Sequence, residues 1–280
     1  MKENPNIFFI IYGGEPFMKR DLEELILFLN SNDANYTIIS NCHNSGIMRD
    51  RRERFFSKIS KVKGFTASVD PGYWYNYKQW WDEEIKSEHG FEYLKELIQK
   101  NRVEDPVAEI TCNSQTIHFL ESTVATLDAE GICSDITFVD SAKNHRYDFS
   151  NIEDETQLVK PCPIVRNIFK RLEQSSYNIH MKTTLLKKIY SILPSNLDCG
   201  ISNLSSPLHS ITLDSDGRIR LCLRIRGIET PIWDGLDLIY NYNFVRQAMV
   251  KDKEEMCELC NHTCYLMSQL EPQDIVTHGE

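Results

Sequence analysis

Apolar and polar positions alternate along the first half of the chain between two periods. Ile7 to Tyr12 is apolar throughout, as in a parallel strand covered on both faces. Asp21 then stands where a helix cap belongs, ahead of Leu22, Leu25, Ile26 and Leu29, whose spacing predicts one buried helical face. A second strand is expected at Tyr36–Ser40, a helix at Arg51–Ile59 and a third strand at Phe65–Val69. Helices at Tyr77–Ile85 and Phe91–Gln99 lead to a fourth strand, Val107–Cys112. Ile117–Ala129 carries Leu120, Val124 and Leu127 on one side, and Gly131 follows where a helix end favours a left-handed residue. Ile132–Val139 closes the series as a fifth strand.

Strands alternating with helices imply right-handed crossovers and an α/β fold with a parallel sheet or barrel over residues 1–150. The pattern changes after that. Asp148–Leu158 is acidic and polar, and Pro163–Arg171 and Lys182–Leu193 read as helices, so residues 151–194 form a helical connector. Residues 195–280 are rich in turns and cysteine, a small α+β domain. Within it, Asp214-Ser215-Asp216-Gly217 reads as a hairpin turn between Ile211-Thr212-Leu213 and Ile219-Arg220-Leu221.

A formal net charge of -10 argues against nucleic acid as partner, since phosphate binding needs clustered Lys and Arg. The local basic run Arg49, Arg51, Arg52 and Arg54 reads as a solvated helix face. The longest apolar run is far short of the ~20 residues a spanning helix needs, so no membrane is expected and the chain reads as cytoplasmic. Nine cysteines in a reducing compartment then point to metal binding or chemistry rather than disulfides. Cys42, Cys112 and Cys133 read as small core or strand-end residues, and with Cys162 they are too scattered to build a cluster motif.

Candidate chemistry starts at Gly13-Gly14-Glu15-Pro16, directly after the first strand. In parallel α/β folds the loops at strand C-termini hold ligands. Two glycines let the backbone approach a ligand closely, and Glu15 offers a carboxylate to a ligand ammonium group. An ordinary strand–helix turn with a surface glutamate fits the same four residues.

This motif, followed by Asp21-Leu22, resembles the second strand and helix of radical S-adenosylmethionine (radical SAM) enzymes. Ser40-Asn41-Cys42 resembles the Thr-Asn-Gly that ends the third strand of their barrel, and Ser68-Val69-Asp70 resembles the Ser-Leu-Asp that ends the fourth. Glu109-Ile110-Thr111-Cys112-Asn113 resembles the fifth, which often ends in Asn. The resemblance implies a partial (β/α)6 TIM-like barrel missing its first strand. It implies S-adenosylmethionine as cofactor, its amino group on Gly13, Gly14 and Glu15, and Ser68 and Asn113 as candidates for its ribose and carboxylate.

The second constellation is Cys257-x-x-Cys260, with Cys264 beyond it and Cys199 and Cys222 upstream. Four thiolates suit an iron–sulfur cluster or zinc. The order Cys199, Gly217-x-x-x-x-Cys222, Cys257-x-x-Cys260 resembles the SPASM and Twitch domains that follow many radical SAM barrels. That resemblance implies one auxiliary 4Fe–4S cluster on Cys199, Cys222, Cys257 and Cys260, with Cys264 able to replace one of them.

Radical SAM enzymes carry Cys-x-x-x-Cys-x-x-Cys upstream of the glycine motif, and the twelve residues before Gly13 contain no cysteine. The expectation is a truncated member of the family, inactive alone. The whole would cleave S-adenosylmethionine reductively to modify a peptide or sugar derivative, drawing on an electron donor such as flavodoxin or ferredoxin. The alternative expectation is a non-catalytic metal- or partner-binding protein with a vestigial barrel.

Overall fold

The computed structural model describes residues 8–42, 45–69, 86–138, 159 and 162–179, with the backbone of 212–213 and 219–220. The elements run β1 (Phe8–Ile11), α1 (Leu22–Ser31), β2 (Asn35–Ser40), α2 (Gly46–Lys58), β3 (Val62–Ser68), α3 (Lys86–Gln99), β4 (Val103–Cys112), α4 (Leu120–Ala129), β5 (Cys133–Phe138), α5 (Pro163–Gln174), β6 (Thr212–Leu213) and β7 (Ile219–Arg220). Single 3-10 turns at Pro16–Met18 and Ile117–Phe119 precede α1 and α4. The expected helices at Tyr77–Ile85 and Lys182–Leu193 and the connector Asp148–Leu158 lie outside the described residues.

The first five strands form one sheet in sequential order, β1-β2-β3-β4-β5. The first four pair in parallel, with Ile38 opposite Phe65 and Ser68 opposite Glu109. Beyond β5, Ser134 and Ile179 form a further parallel bridge, and the Ser134 amide donates to the Asn178 carbonyl at 3.0 Å. A sheet wound in one direction with right-handed crossovers puts its connecting helices on one face. Side chains reflect this. The Tyr36 hydroxyl donates to Asn30 of α1 at 2.8 Å, and the Phe65 ring meets Tyr93 of α3 edge-on with centroids 5.7 Å apart. Alternate residues turn to the other face, where the hydroxyls of Thr37 and Thr66 lie 3.1 Å apart and those of Thr111 and Thr137 lie 3.2 Å apart.

The chain divides into two compact units, Met1–Thr137 with Gln174–Met181, and Phe138–Glu173 with Lys182–Glu280. In the second, α5 buries Val165, Ile168, Phe169 and Leu172, a regular helical stripe. There β6 and β7 pair antiparallel, Thr212 opposite Arg220 and Leu213 opposite Ile219, as the turn chemistry predicts.

Three expectations need correction. Strand β1 is not covered on both faces: Phe8 and Ile10 are 57% and 55% exposed, and among the described residues β1 stands at one edge of the sheet. In α1 the buried face is Leu22, Ile26 and Leu29, whereas Leu25 is exposed because it lies on the flank of that stripe. The arginine run on α2 is not all solvated. Arg49 and Arg54 are exposed, but Arg52 is buried in line with Met48, Phe55 and Phe56.

Candidate functional site

The C-terminal ends of the parallel strands gather the candidate residues of the first unit. After β1 the chain turns through Gly13 and Gly14, at φ +98° and +59°. These left-handed values are strained for a side-chain-bearing residue and open to glycine. A Cβ built on either glycine meets nothing within 4 Å, so the turn borders open space. Glu15 follows in extended conformation and caps the 3-10 turn, accepting from the Phe17 amide at 3.4 Å. Pro16 at the first position of that turn needs no amide partner.

The Glu15 carboxylate does not project freely into solvent. It reaches the end of β2, where the Ser40 hydroxyl lies 2.9 Å from Oε1 and 3.0 Å from Oε2, and the Asn41 amide donates to Oε2 at 3.1 Å. Ser40 is almost wholly buried, and its oxygen also accepts from the Cys42 amide at 3.0 Å. Cys42 adopts φ +53°, a left-handed turn in a residue other than glycine, and is fully buried. Burial pushes the Cys42 thiol up to about 12, an effect the nearby Arg52 guanidinium partly opposes.

Arg52 itself lies over the Tyr93 ring, 4.6 Å from its centroid, a cation–π contact that offsets part of the cost of burying the charge. Phe17, Phe55, Phe65 and Tyr93 pack around this corner through edge-on and tilted ring contacts. The Glu15 carboxylate is thus held by the end of β2 while the glycine turn borders open space.

Ser68 ends β3 and is half-buried; its partner in register is Glu109, and the Val69 amide donates to the Glu109 carbonyl at 2.8 Å. Asn113 follows β4, four residues beyond Glu109, which at ~3.3 Å per strand residue sets it well past the level of Ser68. Its Oδ1 accepts from the Gln115 and Thr116 amides at 2.9 and 2.8 Å, so this oxygen caps the turn leading into α4. Its amide nitrogen is the group that remains for a ligand. Glu109, Ser40 and Arg52 were not singled out as site residues from sequence; Ser40 and Glu109 fell only within matched segments.

The metal candidates Cys199, Cys222, Cys257, Cys260 and Cys264 lie outside the described residues. Among the described residues, no three of His, Cys, Asp and Glu are grouped as a metal site. Cys42, Cys112 and Cys133 are buried and form no disulfide, as core residues should, and Cys162 is half-buried. No helix among the described residues is long and apolar enough to cross a membrane. No protein-family model matches the chain. No curated protein matches it either.

Proposed function

We propose that the turn Gly13-Gly14-Glu15 receives the amino group of S-adenosylmethionine and that the chain is a radical SAM iron–sulfur protein built on a partial barrel. The observation that carries this reading is the Glu15 carboxylate, held by the end of β2 beside two left-handed glycines that border open space. A carboxylate has about four acceptor positions, and the donors from Ser40, Asn41 and Phe17 occupy three of them. One remains for a ligand ammonium group.

Two further features support the reading. Sequential parallel order is the order a barrel wall requires, and ligands of such folds bind at the strand C-termini. The sheet face opposite the described connecting helices carries hydroxyls and a carboxylate, Thr37, Thr66, Ser68, Glu109, Thr111 and Thr137, rather than an unbroken oily surface. Such a face suits a polar substrate above the cofactor.

In this proposal Ser68 and the Asn113 amide nitrogen meet the ribose and carboxylate of the cofactor. Four of Cys199, Cys222, Cys257, Cys260 and Cys264 hold one auxiliary 4Fe–4S cluster, the thiolates supplying soft ligands that iron–sulfur centres require. Bound and reduced, S-adenosylmethionine supplies the hydrogen-abstracting radical chemistry. The protein's share is to orient the sulfonium ligand, keep water from it and position a substrate, of which a peptide or sugar derivative is the proposed class. The 280 residues contain no Cys-x-x-x-Cys-x-x-Cys, so the proposal for them is cofactor and cluster binding, with flavodoxin or ferredoxin as the proposed electron source.

The test is purification without oxygen, followed by iron, sulfide and zinc analysis and equilibrium dialysis against S-adenosylmethionine. Expected are a brown protein with iron and sulfide in equal amounts, iron loss in Cys257→Ser and Cys260→Ser, and saturable binding of the ligand. A colourless protein holding one zinc and no S-adenosylmethionine overturns the reading in favour of a structural metal site.

A further inference from the structure

We infer that Ser40 is the positioning residue for Glu15: its buried hydroxyl sets the carboxylate in the orientation that selects a ligand bearing an α-ammonium group. The inference rests on the preceding reading of the glycine turn and deepens it.

Ser40 ends β2, and Glu15 belongs to the loop after β1, twenty-five residues earlier in the chain. Nothing local holds the two together. The hydroxyl lies nearly equidistant from the two carboxylate oxygens, at 2.9 and 3.0 Å. It has one proton to give, so it bonds one oxygen at a time while facing both. One of its two lone pairs accepts from the Cys42 amide at 3.0 Å, and its proton is left to face Glu15. The left-handed backbone at Cys42 makes that return bond, and the neighbouring Asn41 amide reaches Oε2 directly. The Ser40 hydroxyl and the Asn41 amide from the end of β2 therefore converge on a single carboxylate, which the Phe17 amide also reaches at 3.4 Å.

The consequence is chemical selectivity. A carboxylate stripped of the Ser40 bond can rotate about its side chain and rebuild its contacts with water. Held in place, it pairs with an ammonium at little further entropic cost. Ser40 acts through its bond to Glu15, so its loss should erase discrimination for the amine and spare contacts made elsewhere on the ligand.

The experiment measures dissociation constants of the full chain for S-adenosylmethionine and for its analogue lacking the α-amino group. Wild type, Ser40→Ala, the near-isosteric Ser40→Cys, Glu15→Gln and the Ser40→Ala/Glu15→Gln double variant are compared, with thermal unfolding as the folding control. Wild type should prefer the amine-bearing ligand. Ser40→Ala should lose about tenfold of that preference, the range of one hydrogen bond to a charged group, and leave the deaminated analogue's affinity within about twofold. Ser40→Cys, a weaker donor of similar size, should fall between and carries the test if the alanine variant does not fold. The double variant should be no less selective than Glu15→Gln alone, because Ser40 acts only through Glu15. Equal weakening toward both ligands in Ser40→Ala, or in Ser40→Cys where that variant carries the test, marks a merely structural role and overturns the inference, as does an unchanged preference. A wild-type chain with no affinity for either ligand overturns the reading of the glycine turn itself, and this inference with it.

Discussion

Replacing Gly90 with alanine sets two physical effects of opposite sign against each other. Gly90 lies inside α3, and glycine in a helix interior is less favourable than alanine by about 1 kcal/mol. Propensity alone therefore predicts stabilisation. The tertiary structure predicts the reverse. A Cβ at Gly90 would overlap the Ser68 carbonyl oxygen, and would stand 3.3 Å from the Ser68 carbonyl carbon and 3.4 Å from Cγ2 of Val69. The obstacle is backbone at the end of β3, which cannot swing aside as a flexible side chain does. Either α3 lifts, or the strand end moves. A lift of about 0.5–1 Å forfeits a quarter to a half of the dispersion attraction across the gap, beneath Phe91, Leu94 and Leu97, which are all buried. Overpacking of this kind costs about 3 kcal/mol at the upper end of its usual range, so the net effect is a loss of about 2 kcal/mol. At a urea dependence of about 2 kcal/mol per molar, the midpoint falls by about 1 M. The assay is urea unfolding followed by circular dichroism. Gly46→Ala serves as control: Gly46 opens α2 with nothing near its would-be Cβ, and that variant should match or slightly exceed wild type. A Gly90→Ala midpoint at or above wild type would refute the close packing of α3 on Ser68.

Two other expectations follow from the site. The buried Cys42 thiol is pushed up to about 12 from an ordinary 9.0, and burial likewise pushes the Tyr93 phenol well above its ordinary 10.0, so both keep their protons in the fold while the unfolded chain releases them at lower pH. The stability this contributes is fully present below about pH 9 and is lost as pH climbs toward 12, with a shallower loss in Cys42→Ala; a urea midpoint independent of pH over that interval would count against the burial of both groups. Asn113→Ala removes two cap bonds and should cost about 1 kcal/mol in urea unfolding, whereas Asn113→Asp keeps the accepting oxygen and the stability but loses the amide donor, so its S-adenosylmethionine affinity should fall without a change in midpoint.

Much of this architecture was legible in the residue pattern because it is local. A strand's apolar run, a helix's spacing and a glycine after a helix are each set by neighbours a few positions away. Gly131 at φ +73°, just past α4, is an instance, and so are the strands either side of Asp214–Gly217. The glycine turn before Glu15 was readable for the same reason: two adjacent glycines after an apolar run announce a conformation that other residues resist.

What the tertiary structure decided involves partners remote in sequence. Period alone placed Arg52 with three exposed-looking arginines; only its packing beneath Tyr93, on a helix far along the chain, shows which of the four is buried. Leu25 looked as apolar as Leu22, yet a helix stripe has flanks as well as a centre, and sheet contact chooses among them. The oxygen of Asn113 was open to any role until the fold committed it to a cap. Above all, the bond from Ser40 to Glu15 joins the ends of two adjacent strands. No spacing rule specifies that meeting, because strand register, a property of the whole sheet, brings the two side chains together.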